Sequence, residues 1–174
     1  MAGTKTIRIR DAKIEDADRI GQIAVDAWNY AYSSFLPAEF MSARCDPSRR
    51  AQRMRDRWSE DDLRLVALSD DEVIGFAFEL TPSQVAGIDS ESEALYVDPI
   101  FSRIGAGRAL VEEMVKRFVA RGARSMAVHT LAENKIGCAF YKKMGGMEGP
   151  YTTWNDFPSR WFIWPDLGQG VGGG

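Results

Sequence analysis

The 174-residue sequence predicts an α/β domain built on a mixed sheet. Three observations carry this. "TIRIR", "LRLVAL", "VIGFAFEL" and "ESEALYV" read as strands, by alternation or by short apolar runs rich in β-branched and aromatic residues. Ile20, Ile23, Ala24, Ala27, Trp28 and Ala31 recur at i, i+3, i+4, i+7, i+8 and i+11, one face of a helix. Leu110, Val111, Met114, Val115, Phe118 and Val119 repeat that pattern later, so strands and helices interleave.

Taken in order, "TIRIR" is the first strand and a helix follows from Asp16. Pro37 and Pro47 punctuate the next stretch, leaving one or two short helices up to about Trp58. "LRLVAL" and "VIGFAFEL" flank "SDDE", a hairpin signal, and "TPSQVAGIDS" is a loop. "ESEALYV" is strand four, and Pro99 blocks its continuation. The next helix carries Glu112–Lys116 and Glu113–Arg117 pairs on its wet face and ends at Gly122. "SMAVHTL" is strand five, and "ENKIGCAFYKKM" is a short helix stopped by Gly145 and Gly146. Two last strands span about Met147–Thr153 and Arg160–Trp164. The expected organisation is a single domain over 1–166. A flexible tail or cloning scar then covers 167–174, ending "GQGVGGG".

Composition narrows the function. A chain 45% apolar and 27% charged should fold. A net charge of -3 argues against a dedicated nucleic-acid binder. No apolar run nears the roughly 18 residues of a membrane helix, and the N-terminus lacks a secretory apolar stretch. Cys45 and Cys138 have no metal-ligand spacing and His129 is the only histidine, so no metal site is expected. Free thiols fit a cytoplasmic location.

"IFSRIGAGRAL", residues 100–110, places Gly-Ala-Gly between strand four and its helix. A helix N-terminus offers unpaired N–H groups and the positive end of the dipole, so it attracts phosphate. Glycine lets a diphosphate approach the backbone, and Arg103 and Arg108 add charge at the rim. The plainer reading is a strand-to-helix turn without a ligand. Two named phosphate motifs fail. Leu110 stands where a dinucleotide fingerprint needs its third glycine, and no Gly-Lys-Ser/Thr follows.

"ALYVDPIFSRIGAGRALVEEMV" followed by "NKIGCAFYKKMGG" resembles the GNAT superfamily of acyl-CoA-dependent N-acetyltransferases, over roughly residues 6–164. That resemblance implies a mostly antiparallel central sheet of about seven strands, flanked by helices and splayed between strands four and five. It implies acetyl-CoA as acyl donor and an amine acceptor, in a monomer or homodimer. The pyrophosphate would lie on Ser102, Arg103, Ile104, Gly105, Ala106, Gly107 and Arg108. The pantetheine arm would pair with Leu95, Tyr96 and Val97. The family usually has Arg or Gln three residues before the first glycine, and Ser102 departs from that.

The same resemblance assigns Tyr141 as the acid that protonates the leaving thiolate, and Asn134 as a cofactor contact as well as an N-cap. Along strand four, Glu91 and Glu93 alternate onto the face of Leu95 and Val97. They are the candidate bases, against a plain reading as a solvated strand end. Lys135, Lys142 and Lys143 read as a solvated helix face with a possible role at the 3′-phosphate, and His129 as a packed residue. Trp28, Tyr32, Phe35 and Trp154, with Tyr151, could hold the amine through cation–π contact, against a plain core role. Two function classes stay open at this point: a transferase, and a catalytically silent acyl-CoA sensor of the same fold. A nicotinamide dehydrogenase is disfavoured by Leu110.

Overall fold

The computed structural model describes residues 6–80 and 82–172. Its strands are β1 Ile7–Asp11, β2 Arg64–Ser69, β3 Glu72–Leu80, β4 Ser90–Val97, β5 Met126–Leu131, β6 Met147–Trp154 and β7 Phe157–Trp164. Its helices are α1 Ala17–Tyr32, α2 Ala38–Arg44, α3 Pro47–Asp56, α4 Ala106–Ala120 and α5 Lys135–Lys143. The seven strands run in the order β1-β2-β3-β4-β5-β7-β6. Neighbours are antiparallel at β1–β2, β2–β3, β5–β7 and β6–β7, while β4 and β5 are parallel.

The chain groups into two compact units, 1–78 with 94–110, and 79–93 with 111–174. The first contains a core of Ala17, Ile20, Ile23, Ala24, Ala51, Met54, Val66, Leu68, Val73 and Phe76. This joins the predicted stripe of α1 to Val66 and Leu68 of β2 and to their partners Phe76 and Val73 of β3, which face the same way because the register shifts between Ala67 and Leu68. The hairpin turns at Asp70 and Asp71, with φ of 50° and 67°, as a two-residue primed turn requires. Gly21 sets the approach of α1 to α3: a Cβ there would stand 2.5 Å from the Pro47 carbonyl oxygen. Asp46 caps α3 by accepting from the Arg49 N–H at 3.0 Å.

The second unit buries Met114, Phe118, Met126, Val128 and Phe162. Here the first part of β4 pairs with β5 from Ser90–Met126 to Ser92–Val128, and β4 runs on to Val97 beyond that ladder. A bulge interrupts β6 between Glu148 and Tyr151, where Gly149 and Pro150 fall out of register with β7. β7 begins at Phe157, earlier than the sequence suggests, because Asn155 and Asp156 make a tight turn with positive φ.

The tail expected from Leu167 onward needs correction at its start. Leu167 is 2% exposed in a 3-10 turn over Leu167–Gln169, and its N–H donates to the Arg124 carbonyl at 2.8 Å. The Gly172 N–H donates to the Met144 carbonyl at 3.0 Å. One buried leucine, invisible against a glycine-rich background, ties the segment down. Residues 173–174 lie outside the described residues.

Candidate functional site

The exit of β4 is fixed by a buried carboxylate. Asp98 is 4% exposed and accepts from the Ile100 N–H at 3.1 Å and from Arg19 Nη2 at 2.7 Å. Arg19 Nε in turn donates to the Val73 carbonyl at 2.9 Å, and the Asp98 N–H to the Ile74 carbonyl at 2.8 Å. The 3-10 turn Pro99–Phe101 and the segment that follows therefore start from a pinned point. Asp98→Ala should lower stability by about 1–3 kcal/mol, because a cap and a buried ion-pair partner are lost together. Asp98→Asn, which keeps an acceptor, should lose less. Urea melts of the two variants check this, and equal, unchanged midpoints would refute it.

Beyond that point the backbone turns sharply. Arg103 has φ +64° and Gly105 φ +95°. The Ala109 N–H donates to the Gly105 carbonyl at 3.0 Å, the first bond of α4. The N–H groups of Ala106 and Gly107 precede it, so helix geometry gives them no partner within the helix. Ala106 and Leu110 are buried and anchor the first turn, while Ser102, Arg103, Ile104, Gly105 and Arg108 are exposed. A Cβ built on Gly105 meets nothing within 4 Å. The open space over Gly105 lies at the start of α4, where the sequence places the diphosphate.

Leu95, Tyr96 and Val97 are half-buried, in the part of β4 that follows its ladder with β5. The Tyr96 hydroxyl accepts from Trp28 Nε1 at 2.9 Å. Trp28 itself is a core residue, 8% exposed. Its ring lies edge-on to Tyr32 and carries the Arg50 guanidinium 4.6 Å from its centroid. The expectation that Trp28 would hold a substrate amine through its π face is therefore corrected, since an arginine already occupies that face. Tyr32 is buried too and packs edge-on against the half-buried Phe35 at 5.9 Å.

In the second unit, Tyr141 sits on α5 at 7% exposure, its ring 5.6 Å from Phe162 and 6.4 Å from Trp164. That packing locks the phenol's orientation. Asn134 caps α5 by accepting from the Gly137 N–H at 3.0 Å and donates to Thr130 Oγ1 at 3.1 Å. Both ends of its amide are thus engaged, so the structure supplies the N-cap role. His129 bonds Ser159 Oγ at 2.9 Å and stacks near Trp161, and burial pushes its pKa down, as a packed imidazole should behave.

The two carboxylates of β4 part company. Glu93 is exposed, but Glu91 is 2% exposed. Glu91 accepts from Ser83 Oγ at 3.2 Å, the Gln84 N–H at 2.9 Å and Gln84 Nε2 at 3.0 Å. The expectation of a paired, substrate-facing dyad is corrected: Glu91 ties down the loop before β4. Lys142 pairs with Glu148, as does Arg160 at 2.8 Å, and Arg160 also covers the Tyr151 ring at 4.1 Å. Lys135 and Lys143 stay at the surface, and Trp154 is half-buried. Among the described residues no group of His, Cys, Asp and Glu could hold a metal ion, and no helix is long and apolar enough to cross a membrane.

The acetyltransferase (GNAT) family model matches residues 22–146. The chain belongs to the GNAT family. This GNAT protein is 31% identical over 132 residues to an uncharacterized N-acetyltransferase, YuaI, of Bacillus subtilis, covering 74% of this chain and 73% of that one. It is 25% identical over 145 residues to the spermidine N(1)-acetyltransferase of Thermoplasma acidophilum, covering 80% and 88%. Its fold matches the crystal structure of the PaiA N-acetyltransferase from Thermoplasma acidophilum in complex with coenzyme A. The TM-score is 0.71 at 21% identity, over 91% and 99% of the chains. Acetyl-CoA as acyl donor fits the family.

Family membership gives Ser102 its interest. It is exposed just before α4, at the position where the family resemblance leads one to expect Arg or Gln. Ser102→Arg should tighten CoA binding by roughly 2- to 5-fold, the span of a solvated ion pair. Calorimetry with CoA decides it, and weaker binding would mean that Arg103 already fills the space.

Sequence reasoning passed over Arg50. The signal was available: residues 44–57 hold Arg44, Arg49, Arg50, Arg53, Arg55 and Arg57 against only Asp46 and Asp56. What the sequence could not show is that one of these six lies over Trp28.

Proposed function

We propose that this GNAT protein transfers an acetyl group from acetyl-CoA to a primary amine by direct attack. The observation that carries this is the open cradle over Gly105 at the start of α4, in a chain of the acetyltransferase family. The N–H groups from Arg103 to Arg108 would hold the pyrophosphate, with Arg103 and Arg108 at the rim. The backbone of Leu95 to Val97 would pair with the pantetheine amides, and an N–H near Val97 would face the carbonyl oxygen as it becomes an oxyanion. The amine nitrogen forms the new C–N bond, the C–S bond breaks, and Tyr141 gives its phenolic proton to the sulfur. Exposed Glu93, directly or through water, accepts the proton that the amine loses.

The acceptor classes the sequence leaves open are small molecules, polyamines, amino acids and peptides, and the name of one relative, a spermidine N(1)-acetyltransferase, points to a polyamine for that protein. A thiol-release assay with acetyl-CoA across an amine library, paired with mass detection of the acetylated product, tests the proposal. Turnover of at least one amine class is the expected result. CoA binding without turnover on the whole library would favour an acyl-CoA sensor instead.

A further inference from the structure

Arg50 is a half-buried arginine without an acidic partner. Its Nε donates to the Arg44 carbonyl at 3.0 Å and its guanidinium rests on Trp28. Among the described residues Nη1 and Nη2 have no hydrogen-bond partner. The charged and titratable groups that act on it are Arg53 and Arg44, which add positive charge, and Tyr96 and Cys45. The acid nearest in sequence, Asp46, is occupied as the α3 cap and as the partner of Arg49 at 3.4 Å. Burial pushes the Arg50 guanidinium below the ordinary arginine range, and Tyr96 and Cys45 counter this.

Even a half-buried cation without a counter-ion costs free energy. This one is aimed by three elements. The close approach at Gly21 brings α3 onto α1, Trp28 supports the guanidinium plane, and Trp28 holds the Tyr96 hydroxyl of β4. Beside it, Cys45 lines a cavity of about 410 Å³ together with Asn29, Ser33, Met41 and Ser42. The Arg50–Arg44 hydrogen bond holds the guanidinium against the residue that precedes Cys45, and the Arg50 charge pulls down a thiol that burial pushes up. A planar fork with free N–H donors matches a carboxylate, which accepts two parallel bonds.

We infer that the acceptor of this enzyme carries a carboxylate as well as its amine, as an amino acid or short peptide does, and that Arg50 binds that carboxylate. This rests on the amine acetyltransferase reading above and narrows it. The Arg44, Arg50 and Arg53 charges repel a polyamine, and the π face that would attract an ammonium is covered. Ser33, Ser42 and Asn29 supply neutral polar groups for the rest of the acceptor.

The test measures binding to the CoA-loaded protein by calorimetry. Ligands are α- and ω-amino acids, the carboxamide of each, phosphoethanolamine and spermidine. A carboxylate should bind more tightly than its matched carboxamide by roughly 10- to 150-fold, the span of a charge-assisted hydrogen bond. Arg50→Gln should erase that ratio with CoA affinity unchanged, and Arg50→Lys, which keeps the charge without the fork, should restore part of it. In turnover assays the loss should appear in KM. Equal binding of acid and amide, tighter binding of spermidine or of phosphoethanolamine, or an unchanged ratio in Arg50→Gln would overturn the inference. Failure to bind CoA at all would instead overturn the transferase reading on which it rests.

Discussion

Gly105→Val is expected to abolish CoA binding while the protein still folds. Two effects of the substitution must be kept apart. The first is backbone strain, because Gly105 has φ +95°. An L-residue in the left-handed region costs about 1–2 kcal/mol. The second is occlusion. A Cβ at Gly105 meets no protein atom within 4 Å, so the valine methyls enter the space proposed for the diphosphate. Gly122 separates the two effects. It has φ +89° and equally open surroundings, but it follows the far end of α4. Gly122→Val should lose comparable stability and keep CoA affinity. A titration in which Gly105→Val binds CoA as the parent does, with unchanged circular dichroism, would place the cradle elsewhere.

Tyr141→Phe is expected to lower kcat by about 10²-fold or somewhat more, within the span of general-acid catalysis. The ring packs against Phe162 and Trp164, and phenylalanine preserves those contacts, so KM for acetyl-CoA should move little. A phenol with a pKa near 10 gives its proton to a departing thiolate at little cost. An acid must be protonated to act, so the rate should fall as pH rises through its pKa, and the variant should lose that limb. Glu93→Gln should alter the low-pH limb if Glu93 is the base. Glu91→Gln should act mainly on stability through Ser83 and Gln84. Pre-steady-state measurements belong to the test, because slow product release can mask a chemical defect. Unchanged turnover under limiting chemistry would leave Tyr141 as a packing residue.

The sequence carried the fold well because its signals are local. Period 3.6 from Ile20 to Ala31 and period two in "TIRIR" need no tertiary information, and every predicted helix and strand has a counterpart. The turn between β4 and α4 was legible for the same reason, since a strand end, two glycines and a helix start are contiguous. The misreadings share the opposite property. Glu91 alternates correctly along β4, yet a loop eight residues upstream supplies three donors for its carboxylate. Trp28 has the chemistry of a cation–π acceptor, but its cation is Arg50, from another helix. Leu167 is buried although its neighbours read as a tail. Each depends on what folds against the residue, which a one-dimensional pattern does not encode.

The bulge in β6 bears on how the sheet meets other chains. β6 and β1 are the outermost strands, and an outermost strand offers unpaired N–H and C=O groups to any extended segment. At β6, Pro150 has no N–H to offer, and the register slip at Gly149 and Pro150 breaks the spacing that an incoming strand would need. At β1, only five residues long, Arg8 and Arg10 are held by Asp71 and Asp16, so an incoming strand would meet a short edge flanked by ion pairs. Both margins are thereby poor templates for strand-by-strand growth. An open seven-stranded sheet with such margins offers few sites for fibril seeding.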